Sequence, residues 1–234
     1  MKTLTESECL NLIKGGTVLK INGTGINIVR TTDGKIAKTF RSKKIFSSDL
    51  ISPRPKRFIK AVQKLTDLDI PTVRDARLYW VPFMKRHMVH YQPLEGEELR
   101  NFFSHNGYHS RMVSKWIGFL ESLHDKGVYF RGINFSNIIL QPDGEFGLID
   151  VDSVRVFNHS LSTDFRARNF KHPLSYSQDQ KVLCQFGLDN WIREYLDKVD
   201  MPQSKEQHFL KRTRKQHPLL AKAVSTMDRN CQNL

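Results

Sequence analysis

The chain has 234 residues, 39% of them hydrophobic and 26% charged, the balance of a folded soluble protein that can bury a core without disulfides or metals. Its three cysteines, Cys9, Cys184 and Cys231, lie far apart and form no CxxC pair, which argues against a disulfide framework and for reduced thiols in a cytosolic protein. The net charge of +13 is uneven: residues 35–60 carry nine Lys/Arg against Asp49 alone, residues 201–234 carry seven against Glu206 and Asp228, and these two blocks hold the whole excess. Fields of this kind attract nucleotide, nucleic acid, anionic lipid or phosphorylated sugar, although the C-terminal block also reads as a solvated basic face.

The opening MKTLTESECLNLIKGG alternates charged and apolar residues and does not read as a signal peptide. No run approaches the ~18 apolar residues of a membrane span. Next, TVLKINGTGINIVRTTDGKIAKTF has turn signals at Asn22-Gly23 and Asp33-Gly34 with apolar alternation around them, which predicts an antiparallel meander. In its third strand Ile36, Lys38 and Phe40 share a face. Lys38 there either snorkels out at the sheet edge or aims at an anionic ligand.

Phe58, Ile59, Val62, Leu65 and Leu68 predict a helix from about Lys56 to Leu68, ended by Asp69-Ile70-Pro71. ARLYWVPFMKRHMVHYQPL reads as two strands around Val81-Pro82, and Pro93 to Gly96 as a crossing between halves. Helical spacing returns in SRMVSKWIGFLESLHDKG, closed by Gly127. Residues 158–178 are polar and turn-prone, with a helix expected at DFRARNFKH. DQKVLCQFGLDNWIREYLDKV and HFLKRTRKQHPLLAKAV read as helices. The expected class is α+β, with a strand-rich part over 1–92 and a more helical part over 93–234.

Within the second part, VYFRGINFSNIILQPDGEFGLIDVDS reads as a hairpin. Its Pro142-Asp143-Gly144 turn pairs Ile138–Leu140 with Phe146–Ile149, so Asn137 lands near Leu148–Asp150. One amide oxygen and one carboxylate suit Mg²⁺, which takes one or two protein oxygens beside phosphate and water. A magnesium–triphosphate also needs a cation, for which Lys38 is the candidate. It needs close backbone as well, which Gly23-Thr24-Gly25 offers.

Lysine strand, crossing, helix and hairpin in this order resemble the protein-kinase-like fold, with a small strand-rich N-lobe and a more helical C-lobe. GVYFRGINFSNIIL and LIDVDSVR, followed by RARNF, are similar to the bacterial lipopolysaccharide-core (Kdo/heptose) kinase-like, or toluene-tolerance, group over about residues 15–195. The resemblance implies ATP and Mg²⁺ as cofactors, with Lys38 on the α/β-phosphates and the Gly23–Gly25 turn over the phosphates. It places backbone from His90 and Tyr91 to about Pro93 at the adenine, and Asn137 and Asp150 on the metal. The implied acceptor is a lipopolysaccharide core sugar, reached at the cytoplasmic face of the inner membrane with peripheral contact to anionic lipid.

Two positions depart from that pattern. Gly132 stands where the family places the catalytic aspartate, and FIKAVQK holds no acid to pair with the lysine. Asp152 is then a substitute base, a second metal ligand or a surface acid, and Arg131 either neutralises charge at the loop or bonds carbonyls. The alternative function is a pseudokinase, a nucleotide-binding or scaffold module without transfer. A nucleic-acid binder is disfavoured, since no recognised motif accompanies the basic tail. His105 and His109 lack a third ligand for zinc, and His124 reads as a packed structural histidine.

Overall fold

The computed structural model describes residues 1–22, 25–41 and 53–232. The class is α+β, with a strand-rich N-terminal sheet and a helical C-terminal part. Two compact units divide the chain: Met1–Glu95 with Gly147–Ser153, and Gly96–Phe146 with Val154–Leu234. The boundary falls three residues later than the sequence suggests. The more consequential difference is that Gly147–Ser153, assigned by sequence to the second half, belongs to the first unit.

The first unit contains β1 (Lys2–Thr3), α1 (Glu6–Ile13), β2 (Thr17–Asn22), β3 (Gly25–Arg30), β4 (Ile36–Arg41), α2 (Arg54–Thr66), β5 (Arg74–Val81) and β6 (Arg86–Gln92). The strands form one sheet in the order β1-β5-β6-β4-β3-β2. The expected meander is β2-β3-β4, antiparallel throughout. Register sets the two faces, because directly opposed residues point the same way. Ala37 opposes His90, whereas Ile36 opposes Tyr91 and Lys38 opposes Val89.

A helix covers each face. On the Ala37 face α1 buries Cys9 among Leu4, Ala37, Val81 and Met88. On the Lys38 face α2 places Phe58 against Phe40 and Tyr91, with ring centroids 6.2 and 5.3 Å apart. The sequence pattern located α2 but not α1. The short α1 owes its start to a capping box, in which Glu8 N donates to Thr5 Oγ1 and Thr5 N donates to Glu8 Oε2.

The second unit contains β7 (Glu97–Glu98), α3 (Leu99–Asn106), α4 (Ser110–Asp125), β8 (Val128–Phe130), β9 (Ile138–Leu140), β10 (Phe146–Leu148, which crosses into the first unit at Gly147), β11 (Val154–Val156), α5 (Thr163–Asn169), α6 (Ser177–Phe186), α7 (Leu188–Lys198), α8 (Gln203–Arg214) and α9 (Pro218–Gln232). Its centre is aromatic. Trp116 of α4 meets Phe135 and Trp191 at 5.2 and 5.4 Å, and Phe170 stacks on Trp191 at 4.5 Å. Among the described residues no helix is long and apolar enough to cross a membrane.

A directed hydrogen-bond relay runs through this core. Arg166 Nη1 donates to Tyr195 OH at 3.0 Å, and that hydroxyl meets His124 Nδ1 at 2.7 Å. His124 Nε2 meets Asn169 Oδ1 at 3.1 Å, and Asn169 Nδ2 donates to Phe130 O at 2.9 Å. Because the amide oxygen of Asn169 can only accept, Nε2 carries the His124 proton and Nδ1 accepts from Tyr195. The ring is therefore neutral, and burial, the first cause, pulls its pKa down to about 3.

This has a consequence for stability. His124, at about 3, and His172, pulled down to about 4 chiefly by burial, take up protons more readily unfolded than folded. Their contribution is complete above the ordinary histidine range and is lost as pH falls toward those values. Glu121 opposes them: burial, and then the Asp125 charge, raise its carboxyl to about 7, so its contribution is present at low pH and lost as pH rises through that value. Two histidines outweigh one carboxyl. Urea unfolding is expected to show lower stability at about pH 5 than at about pH 7, with a steeper loss in Glu121→Gln, where the opposing group is gone. A flat profile in both proteins would refute the assignment.

Candidate functional site

The segment that carries the expected metal aspartate is held by backbone. Leu148 N donates to Pro71 O at 2.8 Å, and Thr72 Oγ1 donates to Leu148 O at 2.8 Å. Pro71 and Thr72 are in position because the chain reverses after α2: Asp69 takes φ +54° and Ile70 N closes onto Leu65 O at 2.9 Å. A Cβ at position 147 would run into Leu94 Cδ2 and Pro71 O, so only glycine allows the two stretches to come this close.

Beyond this clamp Asp150 adopts φ +57°, a left-handed conformation that Asp and Asn tolerate better than other non-glycine residues. The strand, which ends at Leu148, is thus not resumed, and Val151–Ser153 forms a 3₁₀ turn. Asp150 and Asp152 are therefore separated by a turn and do not lie along one strand. Asp150 accepts from the Lys38 ammonium, 112 positions away in sequence. The Asp150 side chain remains 50% exposed, whereas that of Lys38 is 10% exposed.

Lys38 thus does not snorkel at a sheet edge. It lies on β4, between β3 and β6, with its ammonium 5.4 Å from the Phe40 ring centroid. Tyr91 lies on the same face, and burial followed by the Asp150 charge raise its phenol above the ordinary value.

Asp152 has a different partner. Arg54 Nε donates to its Oδ2 at 2.6 Å, and Arg57 Nε donates to its backbone oxygen at 3.2 Å. The Asp152 side chain is only 9% exposed. The helix that lacks an acid for Lys38 instead presents arginines to the turn after Asp150. Asp152 is the anchor that ties the start of α2 to this turn, and it also places a negative charge beside a helix N-terminus that carries no acid of its own.

Of the other expected residues in this unit, His90 is paired with Ala37 on one side and Arg77 on the other. Its backbone is thus engaged in the sheet, and its ring meets Thr31 Oγ1 at 3.5 Å on the Ala37 face. In that stretch only Pro93, just past β6, lies outside the ladders. Gly25 opens β3 opposite Asn22. Gly23 lies outside the described residues.

In the second unit the loop after β8 is built around Gly132. Its carbonyl accepts from Asn134 N at 2.8 Å, Asn134 Nδ2 at 2.9 Å and Asn137 Nδ2 at 2.9 Å. The Asn137 amide nitrogen is thus engaged by the loop's own backbone. Asp179, fully buried, accepts from Phe135 N at 2.8 Å and from both Nε and Nη2 of Arg100. Arg131 is exposed beside this loop.

A Cβ at Gly132 would lie 2.7 Å from Cε2 of the Phe130 ring. That ring is fully buried, so it cannot swing aside cheaply. The space that a side chain at position 132 would need is filled.

The sequence pattern missed Arg54, Phe130, Arg100 and Asp179. The acidic residue two positions after Asp150 was visible, but its partner starts a helix about a hundred residues earlier, and no local signal connects them. Arg166 and Asn169, within the RARNF stretch, both serve the relay. The chain matches no protein-family model and no curated protein.

Two outcomes follow. Gly132→Asp is expected to destabilise the fold by about 1–3 kcal/mol through overpacking, and Phe130→Leu in the same chain should recover part of that loss. An unchanged melting temperature in Gly132→Asp would contradict the packing described. Asp152→Ala, which leaves Arg54 without its carboxylate, should cost about 1–3 kcal/mol in urea unfolding, and Arg54→Ala added to it should cost little more. Fully additive losses would show the two side chains to be uncoupled.

Proposed function

We propose that this chain is an ATP-dependent phosphotransferase with a protein-kinase-like fold, similar to the bacterial lipopolysaccharide-core kinase-like group. It phosphorylates a sugar hydroxyl of lipopolysaccharide core at the cytoplasmic face of the inner membrane. The observation that carries this proposal is the buried Lys38 held against a half-exposed Asp150 in left-handed conformation. A buried ammonium with one carboxylate partner, on a sheet face, is a ready counter-charge for phosphate.

The residues fit Mg²⁺ as it travels with a nucleotide. Asp150 exposes carboxylate oxygen, and Asn137 is the other oxygen that the resemblance assigns to the ion. When bound, the ion neutralises charge on the phosphates and helps align them. Lys38 holds the α/β-phosphates, and Arg131 adds positive charge at the loop. With Gly132 no side chain at that place takes the acceptor's proton. Transfer then rests on positioning and charge, and lacks the roughly 10²–10⁴-fold that a general base contributes.

The Phe130 ring at Gly132 favours a second reading, a nucleotide-binding protein that performs no transfer. Thermal unfolding with and without Mg·ATP tests what the two share. Ligand at 100 times its Kd adds about 2.7 kcal/mol, roughly 5–10 °C for a chain of this size. The shift should depend on Mg²⁺ and vanish in Lys38→Ala and in Asp150→Asn, which preserves the left-handed residue class. No shift at millimolar Mg·ATP refutes both readings. A shift without phosphorylation of a lipopolysaccharide acceptor leaves the second.

A further inference from the structure

One face of the second unit gathers four cations, of which the nucleotide reading uses only Arg131. Tyr129 of β8 stands directly opposite Arg155 of β11, so the two side chains share a face of that ladder. The Tyr129 hydroxyl lies 3.4 Å from His172 Nε2, and its ring lies 5.0 Å from that of Phe165. Arg168 sits over the Phe165 ring at 5.7 Å. Lys171 adjoins His172, and Arg131 directly follows β8.

Arg131, Arg155 and Arg168 are exposed and Lys171 is half-buried. None of the four pairs with an acid among the described residues. Their common field is visible in the groups between them. After burial, Lys171, Arg131 and Arg168 all depress the His172 imidazole; Arg168, Arg131 and Arg155 all act against the rise that burial causes in the Tyr129 phenol. No carboxylate appears among the influences on either group. A solvated basic face would keep its cations apart, whereas these converge on one tyrosine–histidine pair at the cost of mutual repulsion.

We propose that this cluster is a binding site for a phosphate group, carried by a soluble phosphate ester or by the headgroup of an anionic lipid. Guanidinium forks match phosphate oxygens two at a time. A phosphate supplies enough acceptor oxygens for several of these donors, where a carboxylate supplies two. The site lies wholly in the second unit and does not rest on nucleotide binding at Lys38.

The test measures inorganic phosphate binding to the full chain by calorimetry at low salt. Arg155→Gln/Arg168→Gln should weaken it by about tenfold or more. Lys205→Gln/Lys222→Gln, which removes the same charge from the C-terminal block, should leave it nearly unchanged. Arg155→Lys/Arg168→Lys keeps the charge and loses the forks, and should retain part of the binding. Equal losses in the two Gln pairs would reduce the effect to net charge and overturn the site, as would a loss confined to Lys38→Ala.

Vesicles of phosphatidylcholine, with and without phosphatidylglycerol, separate the two sources. Association that needs phosphatidylglycerol and fails in Arg155→Gln/Arg168→Gln assigns a lipid headgroup. Phosphate binding without vesicle association assigns a soluble ester. Neither kind of binding refutes the proposal.

Discussion

Leu148 is bonded through both its N–H and its carbonyl to the Pro71-Thr72 corner, and much of the first unit's chemistry depends on that clamp. A short segment from late in the chain, Gly147–Ser153, thereby joins the compact unit built from the first 95 residues. The two bonds also set its register. With Leu148 held, Asp150 has one place to turn, and a left-handed residue there ends the strand at the level of Lys38. The next acid then falls at the start of α2. One pair of hydrogen bonds to the Leu148 backbone thus aligns two ion pairs, Lys38–Asp150 and Arg54–Asp152, whose members are otherwise unrelated in sequence.

The two pairs differ in what they can do. Asp152 is mostly buried and its carboxylate is taken by Arg54, an arrangement in which breaking the pair costs more than forming it gains. It belongs to the architecture. Asp150 keeps half of its surface and answers to a buried lysine, so the same backbone turn presents one carboxylate to solvent and withdraws the other. A ligand that replaces Asp150 as the partner of Lys38 must bring its own negative charge.

The second unit solves a comparable problem by gathering donors and acceptors around its own loop. The Gly132 carbonyl gathers three donors, Asp179 secures the following turn through Phe135 N, and the His124 relay ends on Phe130 O. Phe130 thereby becomes a fixed wall, and the glycine beside it is the residue that this wall permits. Gly132 is thus part of a packed loop in which a larger side chain has no room. The basic cluster around Tyr129 begins at the same strand, so the loop lies between a filled space and a set of cations that pair with no acid among the described residues.

The sequence by itself determined what local physics controls. Turn residues and alternation marked the β2-β3-β4 meander, helical spacing marked α2 and α4, and one lysine among apolar neighbours marked Lys38. A capping box, Thr5 to Glu8, was also legible and would have located α1. Only the tertiary structure decided where the segment after Gly147 goes, because its partners Pro71 and Thr72 carry no pattern that points across 76 positions. It likewise decided that Asp152 meets Arg54 and that a phenyl ring occupies the space beside Gly132. Such contacts depend on how separate elements pack and on steric exclusion at single atoms, and neither leaves a periodic trace in a sequence.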